Sequence, residues 1–398
     1  MSHQLSPLLT RHLPGAVAEY RRMKIAVLAP PWLPVPPTGY GGIESVVSLL
    51  CERLVHRGHQ VTLFAAPGSR SSASVHEVLE LCHPDEIGRA LYEADHVARV
   101  FRAVEDAARS HPGFDVIHDH SGFMALAMAD RIATPLVHTL HGPFEPATSR
   151  FYRQHADKAH IVAISQAQRA SAPPGVPIAE VIPNPIDVAA WPFQPDKDNY
   201  LLWLGRMHET KGPHRAIAAA REAGVPLVLA GPVQPGQESF FQAEVAKHVD
   251  GDRVRYVGEV GGRHKADLIA HARALLMPIT WNEPFGMVMV EALSCGTPVI
   301  SFAQGAATEI VREGVTGFLV RDEQAMGAAV ARLPELDPRN CRADVARRFS
   351  VDQVAAAYEG AYRRAGARTA LLPSHPVGVT MTGPVRSAAR GQLAPTAG

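Results

Sequence analysis

Two carboxylates eight residues apart, Glu283 and Glu291, are the best placed in this 398-residue chain to do chemistry. They bracket the start of the segment EPFGMVMVEALSCGTPV. Pro284 suits the first turn of a helix, and Glu283 stands just before it. A fully helical segment would set the two acids about 12 Å apart along its axis. That span fits a sugar at one end, a ribose at the other and a diphosphate between. The N–H groups of Phe285, Gly286, Met287 and Val288 would face the phosphates or sugar hydroxyls, because a helix N-terminus carries unpaired donors and partial positive charge. By spacing alone, Glu291 is equally an ordinary helix acid and Glu283 a capping one.

Two loops offer matching chemistry. GRMHETKG carries Arg206 and Lys211 directly after a strand-like run. An arginine fork and a lysine point charge can hold a diphosphate and stabilise charge on a departing one. TGYGG, with Gly41 and Gly42, precedes a helical pattern, where glycine lets the backbone come close to a ligand. Asp196-Lys197-Asp198 spells a DxD, but it sits in a Pro-rich stretch and reads as a solvated turn. The cysteines Cys51, Cys82, Cys295 and Cys341 have no zinc spacing, so no metal site is expected. GxGxxG, P-loop and HExxH motifs are missing, which argues against a dehydrogenase, a kinase and a zinc protease.

The elements that must position these groups alternate short apolar runs with amphipathic helices. That is the pattern of parallel sheets covered on both faces. Strands are expected at Ile25–Ala29, Val61–Ala65, Val116–His118, Leu136–Leu140, Ile161–Ile164 and Val181–Ile182. Helices are expected over Ile43–Arg57 and Glu86–Ser110; the second, of mixed charge, reads as a solvated face. A punctuated segment, Trp191 to Asn199, then separates two halves. The second half repeats strand, loop, helix and strand with Tyr200–Leu204, Gly205–Gly212, Pro213–Glu222 and Val225–Leu229. It continues with helix Glu238–Val249, strand Val254–Val257, helix Lys265–His271, strand Ala274–Pro278, helix Gly286–Ser294 and strand Thr297–Phe302. Helices Glu323–Arg332, Arg339–Phe349 and Val351–Arg364 close the pattern. The domains expected are 23–191 and 200–349, joined by a linker at 192–199, with a helix at 350–366. Residues 1–22 and 367–398 read as a disordered extension and tail. In open parallel sheets ligands bind beyond the carboxyl ends of strands, where these loops lie.

Composition narrows the function. Lys plus Arg equals Asp plus Glu, 39 against 39, which gives no electrostatic reason to bind nucleic acid or an anionic membrane. No 18-residue apolar run and no signal-peptide core is visible. Unpaired cysteines fit a reduced, cytoplasmic setting.

Taken together, the Glu-x7-Glu segment, GRMHETKG and TGYGG resemble the family-4 glycosyltransferases from Met23 to about Arg364. The resemblance implies an α/β architecture of the GT-B type, two Rossmann-like doubly wound domains facing across a cleft. It implies transfer with retention of anomeric configuration, no obligatory metal or other cofactor, and a C-terminal helix that crosses back to the first domain. The partners implied are a nucleotide diphosphate-sugar, UDP- before GDP- or ADP-, with UDP-glucose first, and a hydroxyl acceptor of open identity. Carried across, Glu283 contacts donor-sugar hydroxyls and Glu291 the ribose. Arg206 and Lys211 grip the diphosphate, while Gly41 and Gly42 approach it from the first domain. DVIHDH resembles a strand end that supplies a histidine near the reacting sugar, which points to His118, with His120 and His141 as second choices. VIPNPID departs from the family pattern at Pro185, which puts a role for that loop in doubt. An epimerase, a phosphorylase, a glycosidase built on the two glutamates and a non-catalytic sugar-binding protein are the rival readings.

Overall fold

A computed structural model describes residues 22–39, 41–110 and 112–371. Readings that concern residues 1–21 and 372–398 lie outside the described residues. The apolar runs become strands because both of their faces are covered. In the first domain these are β1 (Lys24–Leu28), β2 (Gln60–Ala65), β3 (Ser74–Glu77), β4 (Val116–Asp119), β5 (Leu136–Thr139), β6 (His160–Ala163) and β7 (Ile178–Val181). In the second they are β8 (Leu201–Leu204), β9 (Leu227–Ala230), β10 (Val254–Tyr256), β11 (Ala274–Met277), β12 (Val299–Phe302) and β13 (Gly317–Val320). Every pairing is parallel, and the spatial orders are β3-β2-β1-β4-β5-β6-β7 and β10-β9-β8-β11-β12-β13. The order therefore reverses direction between β1 and β4 and again between β8 and β11. Those two switch points are where a doubly wound sheet opens a crevice.

Helices cover both faces of each sheet. The first domain contributes α1 (Gly42–His56), α2 (Ala90–Ser110), α3 (Met124–Ala127), α4 (Pro146–His155) and α5 (Gln166–Ala170). The second contributes α6 (Pro213–Ala223), α7 (Glu238–Phe240), α8 (Gly262–His271), α9 (Met287–Ser294), α10 (Ala307–Ile310), α11 (Glu323–Val330) and α12 (Pro338–Phe349). The α2 helix buries Val97, Val100, Phe101 and Val104 on the sheet and turns most of its charges outward, but Glu93 departs from the expected solvated face: it is buried and accepts from Met124 N at 2.7 Å. Past α7 the expected helix at Glu238–Val249 breaks into a π turn, Phe241–Val245, and a 3-10 turn, Ala246–His248. Periodicity alone does not separate these from an α-helix.

The last helix, α13 (Val351–Leu371), runs past Gly366, where the sequence pattern ends it. It packs mainly on the first domain, with a lesser contact to α12 of the second. Val354, Ala355, Tyr358, Ala361, Tyr362 and Ala365 enter the same core as Val27, Leu50, Val137 and Val162. Around that stripe, Glu359 accepts from Arg57 Nε at 2.6 Å, Arg364 Nε donates to Glu180 at 2.7 Å, and Arg53 meets Asp352 at 3.0 Å. The expected DxD also behaves differently from a solvated turn. Asp196 and Asp198 are exposed, but Lys197 reaches inward to Ala270 O at 2.7 Å, Cys295 O at 3.2 Å and Thr297 Oγ1 at 2.8 Å. Its ammonium thereby ties the linker to the carboxyl ends of α8 and α9, the ends that favour a cation. No helix among the described residues is long and apolar enough to cross a membrane.

Candidate active site

The loops at the two switch points meet in one cleft of about 400 Å³. From the first domain, the loop after β1 brings Gly39, Gly41 and Gly42, and the loop after β5 brings His141. From the second, the loop after β8 brings Arg206 and Lys211. The loop after β11 brings Trp281, Glu283 and Gly286, and α9 brings Met287, Val288 and Glu291. The predicted donor set is therefore assembled, with one qualification. The helix begins at Met287, so Glu283 lies in the loop and the 12 Å all-helical spacing does not apply. Phe285 contributes backbone only, since its ring is buried and packs edge-on against Phe349 at 5.6 Å.

Backbone geometry explains why glycine recurs here. Gly286 takes a left-handed φ of 85° to turn the loop into α9, which opens its first-turn N–H groups toward the cleft. A Cβ on Gly231 would stand 1.8 Å from Gly205 O, so the β8 and β9 loops touch backbone to backbone beneath Arg206.

The charged groups are paired. Lys211 Nζ donates to the Glu283 carboxylate and lies 4.9 Å from the centroid of the Trp281 ring. Lys265 Nζ sits between the two oxygens of Glu291, 2.8 Å from Oε1 and 2.7 Å from Oε2. Arg206 Nη1 instead donates to the neutral Gln234 amide at 3.1 Å. Lys265, one turn into α8, belongs to no motif in the sequence. Asn184 lines the cleft even though Pro185 breaks the family pattern beside it. Glu259 and Val260 line it as well, from a loop whose sequence carries no signal.

The histidines need a correction. His118 is fully buried, and both ring nitrogens are taken: Nδ1 lies 2.8 Å from Tyr362 Oη and Nε2 2.8 Å from Thr139 Oγ1. Its ring rests 4.5 Å from that of Tyr358. His118 thus belongs to the contact between β4 and α13 and does not reach the cleft. The reason lies in strand alternation. Val116 and His118 face α13 while Ile117 faces α2, and a ligand is met by residues beyond the strand's carboxyl end. His120 is such a residue. Its Nδ1 pairs with His141 Nε2 at 2.8 Å, and its buried Nε2 makes no hydrogen bond within the protein. Burial pushes His141 down to about 3 and His120 well below its ordinary value, so both rings are neutral near pH 7.

His120 and His141 also line a side chamber of about 250 Å³ in the first domain. It shares Gly42, Ile43 and His141 with the main cleft. Glu44 opens into this chamber; burial raises its carboxyl to about 7.

Comparison with known proteins gives the family and the fold. Residues 40–190 match the family model for glycosyltransferase family 4, and residues 190–346 match that for glycosyl transferases group 1. The chain is 29% identical over 362 residues to a D-inositol 3-phosphate glycosyltransferase of Kribbella flavida, covering 77% of this chain and 85% of that one. It is 30% identical over 351 residues to the one of Mycolicibacterium paratuberculosis, covering 75% and 78%. Among solved structures it is similar to AviGT4, a glycosyltransferase involved in avilamycin A biosynthesis, with a TM-score of 0.69 and 29% identity over 87% of this chain and 98% of that one. Sucrose-phosphate synthase of Thermosynechococcus elongatus, TM-score 0.72 and 22% identity over 87% and 100%, shares the fold. So does Anabaena HepE in complex with UDP-glucose, TM-score 0.67 and 20% identity over 86% and 100%. Two facing Rossmann-like domains with these motifs at their switch points make the chain a GT-B enzyme, and it belongs to glycosyltransferase family 4.

Proposed function

We propose that the chain is a retaining glycosyltransferase that takes a sugar from a UDP-sugar, UDP-glucose first, and passes it to a hydroxyl acceptor. One observation carries the reading. Arg206, Lys211 and the N-terminus of α9 gather between two carboxylates where the switch points of both sheets meet. Arg206 and Lys211 grip the diphosphate, Glu291 the ribose and Glu283 the donor-sugar hydroxyls. Gly41 and Gly42 bring the first domain close to the phosphates. The UDP-glucose bound in the Anabaena neighbour supports the choice of nucleotide.

The two ion pairs suit exchange with such a donor. When the diphosphate arrives, Lys211 turns to it and leaves Glu283 free to accept from sugar hydroxyls. The bond between the anomeric carbon and the diphosphate oxygen then breaks. Charge gathering on the departing diphosphate is met by Arg206, Lys211 and the α9 amides. The acceptor oxygen bonds to the anomeric carbon on the same face, and its proton passes to the departing diphosphate. His141 stands between donor cleft and acceptor side as a neutral hydrogen-bonding group. The step draws on no metal, so treatment with EDTA leaves the rate unchanged. Thiols that stay free, Cys51, Cys82, Cys295 and Cys341, suit work in the cytoplasm.

A thermal-shift screen against UDP-, GDP- and ADP-sugars tests the donor. A UDP-sugar raises the melting temperature most, since a ligand selective for the folded state stabilises it. Nucleotide release that rises on adding an acceptor separates transfer from its rivals. Conversion of the donor sugar without release would mean an epimerase, and cleavage of simple glycosides a glycosidase.

A further inference from the structure

The side chamber differs in chemistry from the cleft beside it. The rings of Trp32, Phe123 and Tyr152 line it, and Phe123 is 38% exposed. Such a surface accepts the apolar face of a ring. Glu44 and His120 supply the polar contacts, and each is nearly inaccessible, at 5% and 2% exposure. The bare Nε2 of His120 is a buried group without a protein partner, and such groups are costly unless a ligand or water satisfies them. Among the described residues lining the chamber there is no Lys or Arg. A phosphate binds where an arginine fork, a lysine or a helix N-terminus meets it. Here the N-terminus of α1 borders the chamber through Gly42 and Ile43, but the Glu44 carboxyl already stands in its first turn, and the neutral rings of His120 and His141 stand with it.

We propose that this chamber is the acceptor site and that it selects an uncharged, hydroxyl-bearing ring over a phosphorylated one. The ring lies on Phe123, and its hydroxyls bond to Glu44 and His120. The inference rests on the transfer reading above and names the acceptor class for it. Because Gly42, Ile43 and His141 border both spaces, a hydroxyl at the chamber's mouth faces the anomeric carbon of a donor in the cleft. The acceptor loses only its hydroxyl proton, which goes to the departing diphosphate, and gains the new bond from oxygen to carbon.

The test measures binding to the full chain saturated with UDP. The panel sets methyl and phenyl glucosides and myo-inositol against glucose 6-phosphate and myo-inositol 1-phosphate. At least one uncharged ring is expected to bind, and its phosphate at least tenfold more weakly. Phe123→Ala and Glu44→Gln each weaken that ring tenfold or more and leave the affinity for UDP-glucose within twofold. Phe123 is exposed enough that its variant folds even if Glu44→Gln does not. Equal or tighter binding of a phosphate overturns the proposal, as does a panel in which no uncharged ring binds. Variants that bind the ring as well as the parent overturn it too. A protein that binds uncharged rings at the chamber but no UDP-sugar would instead refute the donor reading and leave the chamber's preference standing.

Discussion

Replacing Lys211 by methionine keeps most of the stem and removes the charge. In the ligand-free protein the change costs two contacts. The Glu283 carboxylate, only 12% exposed, loses its cation, and the Trp281 face loses an ammonium 4.9 Å away. A charge-assisted bond at a partly open site contributes about 1–2 kcal/mol and the cation–π contact about 0.5–1. The stability lost is then about 1.5–3 kcal/mol, a fall in melting temperature of about 3–12 °C at about 2–4 °C per kcal/mol. Turnover loses more, because one preorganised donor to the leaving group is worth about 3–4 kcal/mol, or 10²–10³ in kcat. The two effects separate in the double variant Lys211→Met/Glu283→Gln. The neutral amide strands no charge, so stability returns to within about 1 kcal/mol of the parent while turnover stays low. Steady-state release of UDP and thermal melts on the same samples measure both. A folded Lys211→Met protein with kcat within threefold of the parent would refute the role given to Lys211.

Three further outcomes are expected from the geometry. Tyr362→Phe strips a buried hydroxyl from His118 and lowers stability by about 1–2 kcal/mol with kcat unchanged; a tenfold loss of kcat would return His118 to the reacting centre. Glu44 titrates near 7 when folded against 4.5 ordinarily, so the folded state holds the proton more tightly. Its contribution is most favourable below pH 4.5, declines as pH rises toward 7, and above that its charged form costs about 3 kcal/mol. Glu44→Gln should therefore gain in melting temperature over the parent between pH 5 and pH 8, and a pH-independent difference would contradict the burial argument. Gly231→Ala places a methyl 1.8 Å from a carbonyl oxygen at a φ of 136° and should cost more than about 3 kcal/mol or abolish soluble expression. Gly39→Ala, whose nearest neighbour is the Glu259 side chain at 3.4 Å, should melt with the parent.

Strands such as Val61–Ala65 and Leu201–Leu204 were legible because a strand buried on both faces is apolar throughout, whatever its partners. Edge strand β3, Ser74–Glu77, was not, since only its Val75 packs against the core. The short β13, Gly317–Val320, and the Pro-led α4 were likewise hidden, one by its glycine and the other by its polarity. Of the candidate site, the residues within single motifs came through together, because each motif is one loop at one strand end. Groups brought in from separate elements, Lys265 on α8 and Asn184 before the linker, did not. Their chemistry depends on a neighbour distant in sequence. His118 shows the opposite error: DVIHDH marks the right strand, but its first histidine lies two residues too early, on the side of the sheet that faces a helix.

The order in which the chain leaves the ribosome gives α13 a further meaning. Tyr358 and Tyr362 fill the floor beneath β4 and β5, yet they are made after the whole second domain. During synthesis the first sheet must wait, with α1 on that face but β4 and β5 still bare beside it, for about 170 residues to emerge before its own last layer arrives. Cutting the chain at the linker would not release two independent halves, but one half lacking a wall and the other a wall lacking its half.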